Sequence, residues 1–239
     1  MHHEVFLSTI FNRYIANPIA GLLGIHSDHD VLPPHLVMII LAFLILTLFS
    51  LWLRRRLSVD NPGSVQQGFE LLLGGIQKMM RDVIGNDDQR YFPFLGALFI
   101  YILLCNLMGQ VPGFMAPTAN INVPASMAVI AFLYYNYHGL RVQGLVRYLK
   151  HFAGPILLMA PLIFAIEVVS HFARMMSLSL RLFGNLFAEE LASASLGGIF
   201  PFVVPLPTVV LGLFASLIQA FIFIVLNMVY IGQAITEEH

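Results

Sequence analysis

Charge is what this sequence has little of. Of its 239 residues, 10% are Asp, Glu, Lys or Arg, while 58% are hydrophobic. A soluble domain carries about a quarter charged residues, so this chain cannot coat a globule of its size in polar groups. Lipid must be the solvent for much of the surface. The net charge of −1 gives no basic field, which argues against a nucleic-acid partner. There is a single cysteine, Cys105. It sits inside an apolar run, cannot close an internal disulfide, and reads as packing. A positive leader followed by a cleavable apolar core is missing, so the first spanning helix is expected to act as the insertion signal. No repeat of about 20–50 residues is present, and no low-complexity tract. Also missing are His-Glu-x-x-His, Gly-x-Ser-x-Gly and a catalytic carboxylate pair, which argues against an intramembrane hydrolase. Nothing in the pattern asks for a cofactor or a metal.

What the sequence has is long apolar runs. The first covers 35–53, after a mixed segment 1–34, and stops at Arg54, Arg55 and Arg56. It is long enough for a hydrocarbon core of about 30 Å. Residues 61–85 alternate apolar and polar at roughly helical spacing, as an interfacial helix does. A hairpin over 91–139 is expected to hold two further spans. The second of them, over 125–137, is short unless its helix continues into the flanking residues. A long segment 155–196 and a final helix 208–236 follow, separated by a Pro- and Gly-rich break. Nine of the twelve Lys and Arg residues fall at 54–56, 78–90 and 141–150. Placing those stretches inside gives about five crossings, with the N-terminus outside and the C-terminus cytoplasmic. The fold class expected is an all-α membrane protein.

The segment 155–196 carries polar residues at membrane depth. At about 100° per residue, with Arg181 at zero, Ser170 falls near −20°, Arg174 near +20° and Ser177 near −40°. Asn185 and Glu167 fall near +40°, and His171 and Glu189 near +80°, while Glu190 lies on the opposite side. An arginine at the bilayer centre costs from about 3 to over 10 kcal/mol, depending on the reference. Unlike Lys or His, it cannot lose its proton to escape. A permanent cation there lowers the pKa of a carboxylate brought near it and repels protons passing by. Taken singly, a Ser, Asn or His in such a helix is more often an interhelical hydrogen bond than a site. Arg174 has two possible placements, on the stripe or snorkelled to the interface. The last helix repeats the pattern without charge, with Gln219, Gly212, Tyr230 and Gln233 on one face and Ser216 and Asn227 near it. Asn120 and Asn122 are either turn residues or the lining of an aqueous vestibule. His138 and the tyrosines before it read as interface anchors.

The run Ser177-Leu-Ser-Leu-Arg-Leu-Phe-Gly-Asn185, continued as LFAEEL, resembles the signature of the a subunit of F-type ATP synthases. The stretches NLMGQVPGFMAPTANINV (106–123) and IQAFIFIVLNMVYIGQAITEEH (218–239) agree with it, and the resemblance covers about residues 32–239. It implies a non-catalytic stator subunit whose long segment and last helix form a tilted hairpin against a ring of c subunits. It also implies two aqueous half-channels, a peripheral stalk of b subunits as neighbour, and a proton or sodium ion as cargo. Arg181 is similar to the arginine that faces the ring. Glu190 is similar to the inlet acid, and Gln219 to the glutamine near the arginine. Glu167 and Ser170 are similar to outlet residues, and Asn185 completes the motif. Arg174, His171, Glu189, Asn120 and Asn122 join them as candidate proton-path residues. In the family a small residue often precedes the inlet acid, and an ionisable one stands on the last helix. Here those places hold Glu189 and Gly212, as though the charge had crossed the helix pair. The expected home is a bacterial inner membrane.

Two rival readings have sequence signatures of their own. A secondary transporter shows paired repeats with broken helices in matching halves, and none is present. A passive scaffold has no reason to keep two arginines on one intramembrane face.

Overall fold

The computed structural model of the protein describes residues 9, 11–17, 32–85, 88–111, 114–145, 160–197 and 205–235. Six long helices carry it: α1 (Pro34–Arg54), α2 (Ser64–Ile84), α3 (Asp88–Met108), α4 (Asn122–Gln143), α5 (Ala160–Gly197) and α6 (Pro205–Ile235). Every regular element among the described residues is helical, with a π-helical turn at Asn12–Ala16 and a 3₁₀ turn at Pro117–Ala119. A membrane leaves the backbone little else, because each amide must be satisfied within its own segment. The local sequence agrees with each boundary. Pro34 opens α1, where its missing N–H is no loss. Gly85 (φ 85°) and Gly144 (φ 76°) end α2 and α4 in a conformation that side chains resist.

Four helices are long and apolar enough to cross a membrane: α1, α3, α5 and α6. The short run expected at 125–137 does continue into its flanks, and α4 is 22 residues long. It is not among the four, because Asn122, Asn136, His138 and Arg141 dilute its apolar content. Length and composition alone mark these four as candidate crossings among the described helices. The segment at 61–85 folds as α2, whose one buried stripe holds Gln66, Ile76 and Met80.

The bundle is assembled around α6, which packs on α2, α3, α4 and α5. Helix α5 lies on α4 and α6, while α1 leans on α3 and the 3₁₀ turn. The apolar core runs through Tyr91, Leu95 and Ile102 of α3, Leu182 of α5, and Phe223 and Ile224 of α6. Much of the remaining apolar surface faces outward. Phe43, Leu48, Leu211 and Phe214 are each more than half exposed, a pattern that water would penalise and lipid tails accept. Thr47 and Ser50 of α1 return their hydroxyls to the carbonyls of Phe43 and Leu46, at 2.8 and 2.7 Å, so neither hydroxyl is left unpaired. Arg56 lies over the Trp52 ring, 4.9 Å from its centroid, where a membrane interface favours such a pair.

Polar side chains are found inside instead. Asn106 of α3 is fully buried. Its amide donates to the Ser216 carbonyl of α6 at 3.3 Å, and its oxygen accepts the Thr118 hydroxyl at 2.9 Å. One side chain thus ties α3, the 3₁₀ turn and α6 together. Replacing Asn106 with Ala strands the buried Thr118 hydroxyl and should cost about 1–2 kcal/mol. Denaturation of the chain in micelles checks this, and an unchanged midpoint would remove the network from the fold's supports.

Candidate functional site

The polar stripe expected on α5 forms, but it spans the rim between two environments. Leu178, Leu182 and Leu186 are buried, so the bundle lies near +100° on the wheel that puts Arg181 at zero. Arg181, at zero, and Ser177, near −40°, look away from it and are exposed. His171 and Glu189, near +80°, turn inward and reach other helices. Glu167 and Arg174 lie between and are half-buried, as is Ser170 near −20°. Arg181 makes no side-chain hydrogen bond or ion pair with any described residue, and exposed Met176 and Leu180 flank it. One turn further on, the Asn185 amide donates to Gln219 Oε1 at 2.8 Å. Gln219 is buried, and its own amide nitrogen is unpartnered among the described residues.

A cluster lies on the C-terminal side of that centre. The Gln110 amide, just past α3, donates to Glu189 Oε1. The carboxylate rests on the backbone of Gly212, where a Cβ would collide with it. The structure therefore pairs Glu189 with Gly212, the two positions that the resemblance singled out together. Glu189 Oε2 is buried without a described partner, as is the Ser216 hydroxyl one turn along α6. The Asn106–Thr118 pair adjoins this cluster through Ser216. Asn120 accepts the Asn122 amide N–H at 3.1 Å, a turn ahead of α4, and lies 3.4 Å from His35 Nδ1. Its role as a turn residue is thus realised, and Asn122 is exposed. The Glu190 side chain lies outside the described residues.

A second cluster lies on the N-terminal side. His171 Nε2 is 3.5 Å from Glu167 Oε1, and His171 Nδ1 is 2.7 Å from the Tyr135 hydroxyl of α4. Arg174 donates to Gln233 Oε1 at 3.0 Å and covers the Tyr230 ring at 5.2 Å. It is clamped to α6 rather than snorkelled free. Between Tyr135, Arg174, Asn227 and Tyr230 a small recess opens. Asn227 bonds back to the Phe223 carbonyl at 2.8 Å and is buried; it serves packing. Ser170 stands beside the cluster on the same helix.

Four functional candidates were not distinguishable in the sequence: Asn106, Gln110, Thr118 and Tyr135. Asn106 left the clearest trace, an amide in the apolar run 102–108. Tyr135 was hidden among neighbours read as interface anchors. In that run only Tyr137 is strongly exposed, at 58%. His138 is buried edge-on against Tyr91, 5.0 Å between centroids, so it anchors α4 to α3 rather than to the lipid surface.

The family model of the ATP synthase A chain matches residues 35–232. The chain is 42% identical over 236 residues to the ATP synthase subunit a of Solibacter usitatus, covering 96% of this chain and all of that one. Identity to the ATP synthase subunit a of Koribacter versatilis is 37%, over the full length of both. With the subunit a of Geotalea daltonii it is 46% over 178 residues, 74% of this chain and 77% of the relative. The chain belongs to the ATP synthase A chain family.

Proposed function

We propose that this chain is the fixed, proton-conducting subunit of the membrane sector of a bacterial F-type ATP synthase. The observation that carries the reading is Arg181, a permanent cation exposed on the apolar outer face of α5 with no described partner. Such a charge in hydrocarbon needs an anion supplied by a neighbour. A carboxylate on a rotating ring of c subunits is that neighbour. Passing Arg181, the carboxylate is held ionised and gives up its proton. The same charge repels protons that would otherwise bypass the ring. A proton crossing 100 mV releases about 2.3 kcal/mol, which becomes rotation only while that leak is closed.

The two clusters are suited to the two half-channels. Outside, Asn120 and Asn122 form the vestibule, and Asn106 and Gln110 lead inward. Glu189 with Glu190 deliver the proton to the ring as a coupled pair. Inside, Arg174, Ser170, His171 and Glu167 form the outlet. Asn185 and Gln219 lock α5 to α6 with a neutral bond, which leaves the Arg181 charge for the ring. No covalent chemistry is asked of this chain. The b subunits of the peripheral stalk hold it still. Whether the cargo is a proton or sodium is decided by the rotor's carboxylate site.

In this reading α4 is the fifth crossing and α2 lies in the interface. Helix α5 is 38 residues and α6 is 31, about 57 and 46 Å long. Both exceed a core of about 30 Å, which supports a tilted hairpin against the ring. The N-terminus is outside and the C-terminus cytoplasmic.

Three measurements test this. Arg181→Ala should abolish ATP-driven proton pumping in vesicles of the assembled complex and raise passive leak; pumping near the wild-type level would refute the motor role of α5. Gly212→Ala should expel the Glu189 carboxylate from its seat and slow pumping about tenfold, ~1.4 kcal/mol. Unimpaired pumping in that variant would take Glu189 off the path. For topology, Asn122→Cys should react with an impermeant maleimide from outside and Asn61→Cys from inside, since native Cys105 is buried. Labelling of both from one side would break the five-crossing arrangement.

A further inference from the structure

We propose that His171 is the proton-exchanging group of the inner cluster and that Tyr135 is the positioning residue that makes it so. The inference rests on the outlet reading above and goes beyond it by assigning a carrier atom, Nε2 of His171.

The geometry distinguishes the two ring nitrogens. Nδ1 faces the Tyr135 oxygen at 2.7 Å and Nε2 faces Glu167 Oε1 at 3.5 Å. The Tyr135 side chain is buried, and its ring lies nearly parallel to the imidazole at 5.8 Å between centroids. Phe132 meets the same imidazole edge-on at 6.3 Å. The ring is thus fixed on two sides, while 12% of the side-chain surface remains accessible and Glu167 keeps 29%. The other charged and titratable groups nearby are Arg174 on the same helix, which is bound to Gln233, and Tyr230 of α6.

We assign the neutral imidazole to the Nδ1–H tautomer, which donates to the Tyr135 oxygen in both charge states and leaves the Nε2 lone pair to take the proton, so the ring can gain and lose it without breaking its bond to Tyr135. A proton released from the rotor side binds Nε2. The imidazolium passes it to the ionised Glu167, and the carboxylic acid yields it to water on the inner side. The imidazole is then neutral again, with Nδ1–H still on Tyr135, and the cycle closes with one proton moved. Imidazole suits the step because it changes charge near neutral pH.

Inverted vesicles expose the inner side to the bath, so bath pH sets the outlet pH. With the whole complex in such vesicles, ATP-driven pumping and passive proton conduction are measured as the bath is stepped between about pH 6 and 8. His171→Gln should conduct about tenfold more slowly and lose its dependence on bath pH in that window. Tyr135→Phe keeps the ring contacts but loses the acceptor. It should conduct a few-fold more slowly, and its pH midpoint should move, because the imidazole has lost its partner at Nδ1. Assembly is scored separately by co-purification of the ring; if His171→Gln does not assemble, Tyr135→Phe decides alone. Wild-type rate and an unmoved midpoint in assembled Tyr135→Phe, or a retained pH dependence in His171→Gln, would overturn the assignment. Arg181→Ala in the same vesicles separates the two levels. Normal pumping there removes the motor reading, whereas loss of pumping there beside wild-type behaviour of both outlet variants removes only this inference.

Discussion

A guanidinium cannot shed its proton to enter hydrocarbon, and Arg181 stands on the outer face of α5 with nothing described beside it to neutralise the charge. The arrangement around it follows from that constraint. A buried partner on α6 would have neutralised the arginine and made it a structural ion pair. The structure instead gives α6 an uncharged polar residue at this level, Gln219, and joins it to Asn185. An amide-to-amide bond holds two helices in register without a counter-charge. The helix pair is fixed, and the arginine has no counter-charge beside it among the described residues; in the function proposed above, an acid of the rotor supplies it.

The placement of the remaining polar groups answers a second demand, that protons cross without a continuous wire. The inner cluster reaches Arg174 and the outer cluster begins at Glu189, fifteen residues apart on α5, or about 22 Å along the axis. Between them the inward face of α5 presents Leu178, Leu182 and Leu186, packed against a buried apolar stretch of α6 that includes Ala220, Phe223 and Ile224. Buried polar groups interrupt this seam, Ser179 of α5 with Gln219 and Asn227 of α6, so the proposed route past Arg181 rests on its charge rather than on a lack of polar groups inside.

The sequence carried the helices and the stripe well, and for a physical reason. Helix boundaries in a membrane are set by where the apolar run stops, as at Arg54 or Gly144, and both are local facts. The stripe is local too, since it needs only the 3.6-residue period. The direction in which the stripe points depends on which residues of α5 meet α6, and periodicity is silent on that. So His171 and Arg181 looked like members of one surface, although one binds Tyr135 inside the bundle and the other faces out. Gln110 and Tyr135 were lost for the same reason. Each becomes meaningful only when a residue 79 or 36 positions away arrives beside it. Helix α4 mixes the two cases, since His138 packs inside the bundle while Asn122 and Arg141 stay exposed.

The seat of Glu189 explains how a charge can change sides of a helix pair. The carboxylate occupies the volume above Gly212 that any side chain on α6 would need. A Cβ added at Gly212 would meet Glu189 Oε1 and the Gln110 amide, so those flexible side chains would have to shift to admit it. The carboxylate is held at one oxygen by Gln110, while Oε2 stays buried and unpartnered among the described residues.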